Sequence, residues 1–436
     1  METHLADFLR HAEAGREAEA ILRKCVHCGF CTATCPTYQL FGDELDGPRG
    51  RIYLIKQVIE GAQPTEKTRL HLDRCLTCRA CETTCPSGVK YSRLLDIGRE
   101  IVAAKLPRTG VDAVMRKALK TLLPRSGLFG PAMRLGQALR PLLPGALKAK
   151  VPARQEPGPW PAATHPRRML ALAGCVQPAM LPGVNAATAR VLDRLGISLM
   201  EAPKAGCCGA VRHHLDDVEG GREDARRNID AWWPYVEAGC EAIVVTASGC
   251  GVEVKDYGHL LAGDPRYAAK AGRIAVLARD VSEVVAAESE SLAALFGVLP
   301  RLTLATRIAF HSPCTLQHGQ KLGGVVEALL TQAGFELSPV ADSHLCCGSA
   351  GTYSVLQPEI AAQLRENKLA ALGAGKPAVI ASANIGCITH FQEGSLLPVR
   401  HWVELIDERL RQKVLAKAAD VRESARAAAS GGNVHG

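Results

Sequence analysis

Residues 25–36 read CVHCGFCTATCP, and residues 75–86 repeat the same cysteine spacing as CLTCRACETTCP. Each run places three cysteines at intervals of three and a fourth cysteine directly before a proline. This spacing is typical of a pair of [4Fe–4S] clusters, in which one tight loop supplies three thiolates and the fourth thiolate crosses to the other cluster. It therefore predicts one cluster on Cys25, Cys28, Cys31 and Cys85, and a second on Cys75, Cys78, Cys81 and Cys35.

Zinc is the main alternative for these cysteines, because thiolates in Cys-x-x-Cys pairs also hold Zn²⁺ tetrahedrally. Three successive cysteines at this interval before a Cys-Pro pair, found twice, favour iron–sulfur clusters. Disulfides are disfavoured, since residues 1–24 carry charges throughout and lack the apolar core of a secretory signal. The cysteines fit a reducing compartment, so we expect a cytoplasmic protein.

The length and composition indicate an ordinary soluble globular protein. The 436 residues are enough for two to four domains, with 47% hydrophobic and 22% charged residues. Aromatic residues make up only 4%, which leaves few stacking platforms for single-stranded nucleic acid. We therefore expect no nucleic-acid partner.

The net charge of +8 comes from one proline-rich stretch, residues 111–166, which we interpret as a linker. Residues 113–155 contain no acidic residue, and apolar residues alternate there with basic ones. Such a cationic, amphipathic segment can lie on an anionic lipid surface or dock on a partner subunit. The alternative is a solvated linker packed on its own domains. Because the chain has no apolar run of about 18 residues, we expect at most peripheral contact with the cytoplasmic face of the inner membrane.

A second cysteine pattern occurs twice beyond this linker. In each copy a single cysteine is followed 32 positions later by Cys-Cys-Gly, and a further cysteine comes later still. The copies are related by an offset of 139 residues at three of the four positions, which indicates two homologous domains in tandem. The cysteines are Cys175, Cys207, Cys208 and Cys250 in the first copy, and Cys314, Cys346, Cys347 and Cys387 in the second.

Short apolar runs alternate with helical stretches in both copies, which predicts parallel sheets with helices on both faces. Ligands gather at the carboxyl ends of such strands, where Cys175, Cys250, Cys314 and Cys387 are expected. Each copy therefore predicts one thiol-rich pocket. The role of each pocket remains open between four alternatives: a further iron–sulfur cluster, a zinc site, a redox-active thiol pair, and a pocket kept for packing. Cys240 has no counterpart and is expected to be an inert buried thiol.

The predicted fold class is α+β and α/β multidomain: a mainly helical ferredoxin-like domain with two clusters, followed by two tandem α/β cysteine-rich domains. The expected boundaries are 1–110 for the ferredoxin-like domain, 111–166 for the linker, 167–300 and 301–412 for the two Cys-Cys-Gly domains, and 413–436 for a disordered tail.

Three stretches carry a resemblance to a known family: residues 25–38 (CVHCGFCTATCPTY), 47–53 (GPRGRIY) and 72–78 (LDRCLTC). With the tandem Cys-Cys-Gly domains, they resemble the iron–sulfur subunits of membrane-associated flavin dehydrogenases for glycolate, D-lactate and glycerol 3-phosphate, and heterodisulfide reductase subunits. They are most similar to glycolate oxidase iron–sulfur subunits. One departure is that Glu253 and His390 stand where heterodisulfide reductase subunits have the final cysteine of each repeat. This puts disulfide chemistry in doubt, and His390 becomes a candidate nitrogen ligand.

The resemblance implies an electron-transfer subunit of a glycolate oxidase complex, with FAD-containing flavoprotein subunits as partners and a quinone-type acceptor. Oxidation of a 2-hydroxy acid removes two electrons, whereas a cluster accepts one, so a flavin is needed. No Gly-x-Gly-x-x-Gly stretch follows a predicted strand, and we expect no catalytic residue for glycolate oxidation in this chain. The alternatives are a subunit of a D-lactate or glycerol 3-phosphate dehydrogenase, a thiol–disulfide oxidoreductase, and a zinc-bound scaffold.

Four arginines, Arg49, Arg51, Arg74 and Arg79, lie near the cluster loops in the sequence. A positive charge beside a cluster raises its reduction potential by favouring the reduced, more negative state. The alternative, which we favour from sequence alone, is that these arginines are solvated surface or partner-contact charges.

Overall fold

The computed structural model describes residues 1–298 and 306–411. Its N-terminal region is helical, as predicted. The helices there are Asp7–Arg10, Glu13–Lys24, Pro36–Phe41, Pro48–Ile59, Glu66–Asp73, Ala80–Thr84 and Tyr91–Lys105, with 3₁₀ turns at Phe30–Thr32 and Glu44–Asp46. Helices Pro48–Ile59 and Tyr91–Lys105 cross closely at Gly98, where a Cβ atom would lie 2.6 Å from Ile55 Cγ1. Ile55, Leu94 and Leu95 fill the core between them.

Beyond the basic segment, the described residues form two four-stranded parallel sheets with their helices. The first contains β1 (Arg167–Ala171), β2 (Ile197–Glu201), β3 (Ile243–Val245) and β4 (Ala278–Asp280) in the order β2-β1-β3-β4. The second contains β5 (Arg307–His311), β6 (Glu336–Leu337), β7 (Val379–Ser382) and β8 (Val399–His401) in the order β6-β5-β7-β8. The equivalent strand orders agree with the predicted duplication, and the predicted fold class is confirmed.

Helices connect and cover the strands of both sheets. In the first copy they are Gln177–Met180, Gly183–Arg194, Ala210–His213, Val218–Glu237, Ser248–Lys255, Tyr257–Leu260, Ala268–Leu277, Val281–Ala287 and Ser289–Gly297. In the second copy they are Val325–Gln332, Tyr353–Leu356, Pro358–Gly373 and Ile385–Gln392, preceded by a π-helical turn at Thr315–Gly319; residues 402–411 are also helical. Gly196 and Gly334 have positive φ just after helices Gly183–Arg194 and Val325–Gln332, which is the conformation of a left-handed cap.

The two sheet domains share one hydrophobic core. It contains Val244 and Val285 from the first copy and Ile380 and Trp402 from the second. His401 binds across the boundary, with 2.9 Å between Nε2 and the Thr246 carbonyl oxygen. The copies therefore pack against each other as one body.

The basic segment is largely helical, with helices Gly110–Leu122, Ser126–Ala138 and Gly145–Lys150 and a 3₁₀ turn at Arg140–Leu142. Gln137 anchors it to the first sheet domain by donating to the Ala179 carbonyl oxygen at 3.2 Å. Large apolar side chains on this segment face solvent, including Leu135 at 62% exposure and Leu142 at 81%. Within the ranges described, no helix has the length and apolar character to cross a bilayer. The expected tail, 413–436, lies outside the described residues, and the expected domain boundaries remain predictions.

Candidate metal centres

The first N-terminal thiol cavity is lined by Cys25, Cys28 and Cys31 of the first motif and by Cys85 of the second. His27 and Gly29 have φ values of 55° and 88°, so the loop curls back on itself between its cysteines. Burial, followed by the nearby Cys25 thiolate, raises the pKa of Cys31 to about 11. Cys28 is exposed.

The second cavity is lined by Cys75, Cys78 and Cys81 of the second motif and by Cys35 of the first. Cys35 is the residue before helix Pro36–Phe41, whose first position is the proline. Burial raises the pKa of Cys78 and Cys81 well above the usual thiol range, and neighbouring thiolates raise it further. Thiolates crowded in this way need the positive charge of a metal to stay ionised.

The grouping agrees with crossed ligation, because each cavity is lined by the first three cysteines of one motif and by the Cys-Pro cysteine of the other. Cys81 borders both cavities, so the two thiol sets share a wall. The donor set, all thiols on tight loops, fits iron–sulfur clusters. The assignment of each cysteine to a cluster stays a prediction.

Arg51 lines the second cavity and is only 1% exposed, so the surface interpretation is wrong for this residue. Its Nη1 atom lies 3.9 Å from Cys35 Sγ, and its Nε donates to the His71 carbonyl oxygen at 2.7 Å. Asp46, fully buried, lies 3.5 Å from the same guanidinium and also accepts from Arg74 at 2.7 Å. The first cavity has Arg49 instead, which is paired with Glu44 at 2.6 Å.

The first Cys-Cys-Gly pocket gathers Cys175, Cys207, Cys208 and Cys250. Cys207 contacts both Cys175 and Cys208, and Cys208 also contacts Cys250. The hydrogen bond with Cys207, then burial, raises the pKa of Cys175. Cys175 and Cys250 follow the carboxyl ends of β1 and β3, as predicted, whereas Cys207 and Cys208 lie in the loop after β2.

Glu253 of this copy is buried and faces His213, with 3.2 Å between Oε1 and Nδ1. Burial alone would lower the pKa of His213, but the Glu253 carboxylate outweighs it and raises that pKa to about 9. Glu253, which stands where heterodisulfide reductase subunits have the final cysteine of the repeat, therefore forms a buried ion pair with His213. His213 also stacks on His214, with ring centroids 5.5 Å apart.

The second Cys-Cys-Gly pocket gathers Cys314, Cys346, Cys347 and Cys387, which contact one another in that order. His390 lies three positions after Cys387, but its Nε2 is 3.1 Å from the Ala361 carbonyl oxygen. His311, which sequence reasoning missed, has a ring nitrogen close to the sulfur atoms of Cys347 and Cys387. Cys240 is buried apart from both pockets and donates to the Ala242 carbonyl oxygen at 3.2 Å.

The second cavity also meets the second Cys-Cys-Gly pocket directly. Cys78 packs against Cys314 and Cys346. Two hydrogen bonds secure this junction: His318 Nδ1 lies 3.1 Å from Thr83 Oγ1, and the Tyr353 hydroxyl donates to the Arg74 carbonyl oxygen at 3.1 Å. No sequence pattern predicts this contact, because it joins residues more than 200 positions apart.

Comparison with known proteins defines the class of this site. Residues 21–89 match the family described as "4Fe-4S dicluster domain", and residues 169–255 and 308–392 match the "Cysteine-rich domain" family. The chain is thus a two-cluster iron–sulfur protein with a duplicated cysteine-rich domain, and the prediction of two [4Fe–4S] clusters is confirmed.

Similar full-length proteins define the family. The "Glycolate oxidase iron-sulfur subunit" of Escherichia coli (strain K12) is 55% identical over 95% of this chain and 100% of its own length. The "Probable glycolate oxidase iron-sulfur subunit" of Bacillus subtilis (strain 168) is 30% identical over 87% of this chain and 90% of its own length. "Lactate utilization protein A" of Geobacillus kaustophilus (strain HTA426) is 26% identical over 52% of this chain and 92% of its own length. The chain belongs to the family of glycolate oxidase iron–sulfur subunits, as the sequence motifs predicted.

Proposed function

We propose that this chain is the electron-transfer subunit of a glycolate oxidase complex, in which separate FAD-containing flavoprotein subunits oxidise glycolate to glyoxylate. The chain would carry single electrons from the flavoprotein toward a quinone-type acceptor. The observation that carries this proposal is the pair of cysteine-lined cavities that share Cys81, since adjacent one-electron centres suit electron transfer and not hydride removal. Similarity to the Escherichia coli subunit supports glycolate as the substrate of the complex.

The ligand sets that we propose follow the two cavities. Cys25, Cys28, Cys31 and Cys85 hold the first cluster, and Cys75, Cys78, Cys81 and Cys35 hold the second. The chain tunes the reduction potentials of both clusters through burial. At the second cluster it also supplies the charge of Arg51, which lies beside Cys35. We further propose the domain boundaries stated above, with the linker at 111–166.

The surroundings of the two cavities support a direction for electron transfer. The first cavity opens to solvent beside Val26 and Phe30, which are 69% and 59% exposed. At the second cavity, Cys78 packs against Cys314 and Cys346 of the second Cys-Cys-Gly domain. A redox partner can approach the first cavity, whereas the second leads into the Cys-Cys-Gly domains.

Assays of the separated chain test this division of labour. We expect about eight irons per chain from an anaerobic preparation, no glycolate oxidation by the chain alone, and reduction of its clusters by glycolate only when the flavoprotein subunits are added. Glycolate oxidation by the isolated chain would overturn the proposal, and so would the absence of iron and acid-labile sulfide.

We also propose peripheral contact between the basic segment and the cytoplasmic face of the inner membrane. Exposed Leu135 and Leu142 stand among basic residues, as on helices that lie at anionic lipid surfaces. The double variant L135D/L142D should sediment less with phosphatidylglycerol vesicles than the wild-type chain. Leu396→Asp is the matched control, because Leu396 is fully exposed outside this segment. Equal sedimentation of both variants and the wild-type chain would favour the solvated linker.

A further inference from the structure

Three donor atoms converge in the second Cys-Cys-Gly domain. One ring nitrogen of His311 and the sulfur atoms of Cys347 and Cys387 all lie within 4.8 Å of one another, and all three residues are buried. Within residues 1–298 and 306–411, the other group this compact is Asp43, Asp46 and His71, but two arginines already neutralise Asp46. The His311 group differs from it, because it consists of two thiols and one imidazole, which are typical zinc ligands.

His311 is held as metal-binding histidines are held. It ends β5, its exposure is 2%, and its Nδ1 lies 3.0 Å from Ser382 Oγ on the neighbouring strand β7. Its ring meets the Phe391 ring edge-on at 4.8 Å, which fixes its plane. Nε2 is buried and has no hydrogen-bond partner among the described residues. An imidazole with one nitrogen fixed by a hydrogen bond presents the other nitrogen to a metal. Without a metal, a buried nitrogen that has no hydrogen-bond partner destabilises the fold.

We propose that His311, Cys347 and Cys387 bind one zinc ion, with Cys346 as the third thiolate. Donors around a tetrahedral zinc ion lie about 3.5–4 Å apart, given Zn–S bonds of about 2.3 Å and Zn–N bonds of about 2.0 Å. A separation below 4.8 Å fits a single ion. Cysteines that each bind a different iron of a cubane stand farther apart, and neither N-terminal cavity contains three donors this close among the described residues. We assign Cys346 as the fourth donor because its thiol contacts Cys347, although it is not within 4.8 Å of all three other donors.

The charge balance of the pocket supports three thiolates. Zinc with three thiolates and a neutral imidazole carries a net charge of −1, which needs a nearby cation when buried. Lys368 is buried beside Cys314, Cys346 and Cys347, and its Nζ donates to the Asp342 carbonyl oxygen at 2.6 Å. The ammonium and the zinc–thiolate group together are neutral.

The first Cys-Cys-Gly domain lacks this nitrogen. Leu172 occupies the position equivalent to His311, with the same offset of 139 residues that relates Cys175 to Cys314. Leu172 is buried and apolar. The proposal therefore predicts one zinc per chain and not two, bound in the second copy. This site is additional to the proposed electron-transfer function and does not depend on it.

Metal analysis of the full chain tests the site. The protein is prepared anaerobically with zinc supplied and then desalted, and zinc and iron are counted in the wild-type chain, His311→Gln and His390→Gln. We expect about one zinc in the wild-type chain and in His390→Gln, and at least tenfold weaker zinc binding in His311→Gln. Iron should stay at about eight in all three, which reports the N-terminal clusters independently.

A second measurement uses only the wild-type chain, so it tests the site even if a variant does not fold. X-ray absorption at the zinc edge of the wild-type chain should show three sulfur atoms and one imidazole nitrogen. An all-sulfur shell, two zincs, or zinc-free protein with more than eight irons would overturn the proposal. Loss of zinc from His390→Gln in place of His311→Gln would do the same.

Discussion

Gly348, which completes the second Cys-Cys-Gly motif, cannot be replaced by alanine without a close contact. Its φ is +87°, and a Cβ atom would lie 2.7 Å from the Ala361 carbonyl oxygen and 2.9 Å from Leu364 Cβ. Gly324 of the same domain has nearly the same φ, +86°, but a Cβ atom there would meet nothing within 4 Å. The two glycines therefore separate the effect of backbone conformation from that of packing.

The expected magnitudes follow from this difference. A side chain in the left-handed region costs about 1–2 kcal/mol, and this cost applies to both Gly348→Ala and Gly324→Ala. Overpacking adds about 1–3 kcal/mol at Gly348 alone. The gain from a less flexible unfolded chain is the same for both and cancels in the comparison. We expect a loss of about 2–5 kcal/mol for Gly348→Ala and about 1–2 kcal/mol for Gly324→Ala.

Hydrogen exchange measured by mass spectrometry is the suitable assay, because a chain of several domains need not unfold in one step. Peptides covering β7 report the free energy of opening of this domain in the wild-type chain and both variants. Protection of β7 should fall more in Gly348→Ala than in Gly324→Ala. Equal losses would refute the reasoning, since they would show that the backbone carbonyl of Ala361 moves aside without cost.

Two further predictions concern buried charge. Arg51→Gln should lower the midpoint potential of the second cluster by on the order of 100 mV in a redox titration followed by electron paramagnetic resonance. Arg49→Gln should change the potential of the first cluster less, because Arg49 is partly exposed and solvent screens its charge, whereas Arg51 is buried. Equal small shifts would contradict this. Burial lowers the pKa of His401 to about 4, below its value of about 6.5 in the unfolded chain, so its contribution to stability is complete above pH 6.5 and is lost as the pH falls toward 4. Protonation would remove the acceptor that His401 Nδ1 offers to the Val403 N–H. In His401→Gln, the free energy of unfolding should therefore fall less steeply between pH 6.5 and 4 than in the wild-type chain. An unchanged pH dependence in this range would contradict this.

The sequence predicted the ferredoxin-like fold and the tandem sheets well, for physical reasons. Cluster ligation is encoded locally, since three of four thiols come from one loop, and duplication made the sheet domains readable from a repeated spacing. Arg51 was misjudged because a charged residue near a surface loop is usually solvated. It is buried because Thr37 and Asp46, brought together by a short helix and a 3₁₀ turn, satisfy its guanidinium.

The cysteine spacing points to His390, which stands at the position of the last cysteine of the repeat, and not to His311, which precedes the first cysteine. A signal was present: β5 ends in histidine where β1 is followed by Leu172, and the carboxyl ends of parallel strands are where ligands gather. The contact between Cys78 and Cys314 had no such signal, because packing between domains depends on shapes that the spacing of cysteines does not encode.

That contact has a consequence for biosynthesis. The thiols of the second motif leave the ribosome well before the residues that cover them, a delay on the order of ten seconds or more at ordinary rates of translation. Throughout that interval Cys78 is open to oxygen and to stray metals. Whatever delivers iron and sulfide to this motif has its best access to a nascent chain, before the last third of the polypeptide folds over it.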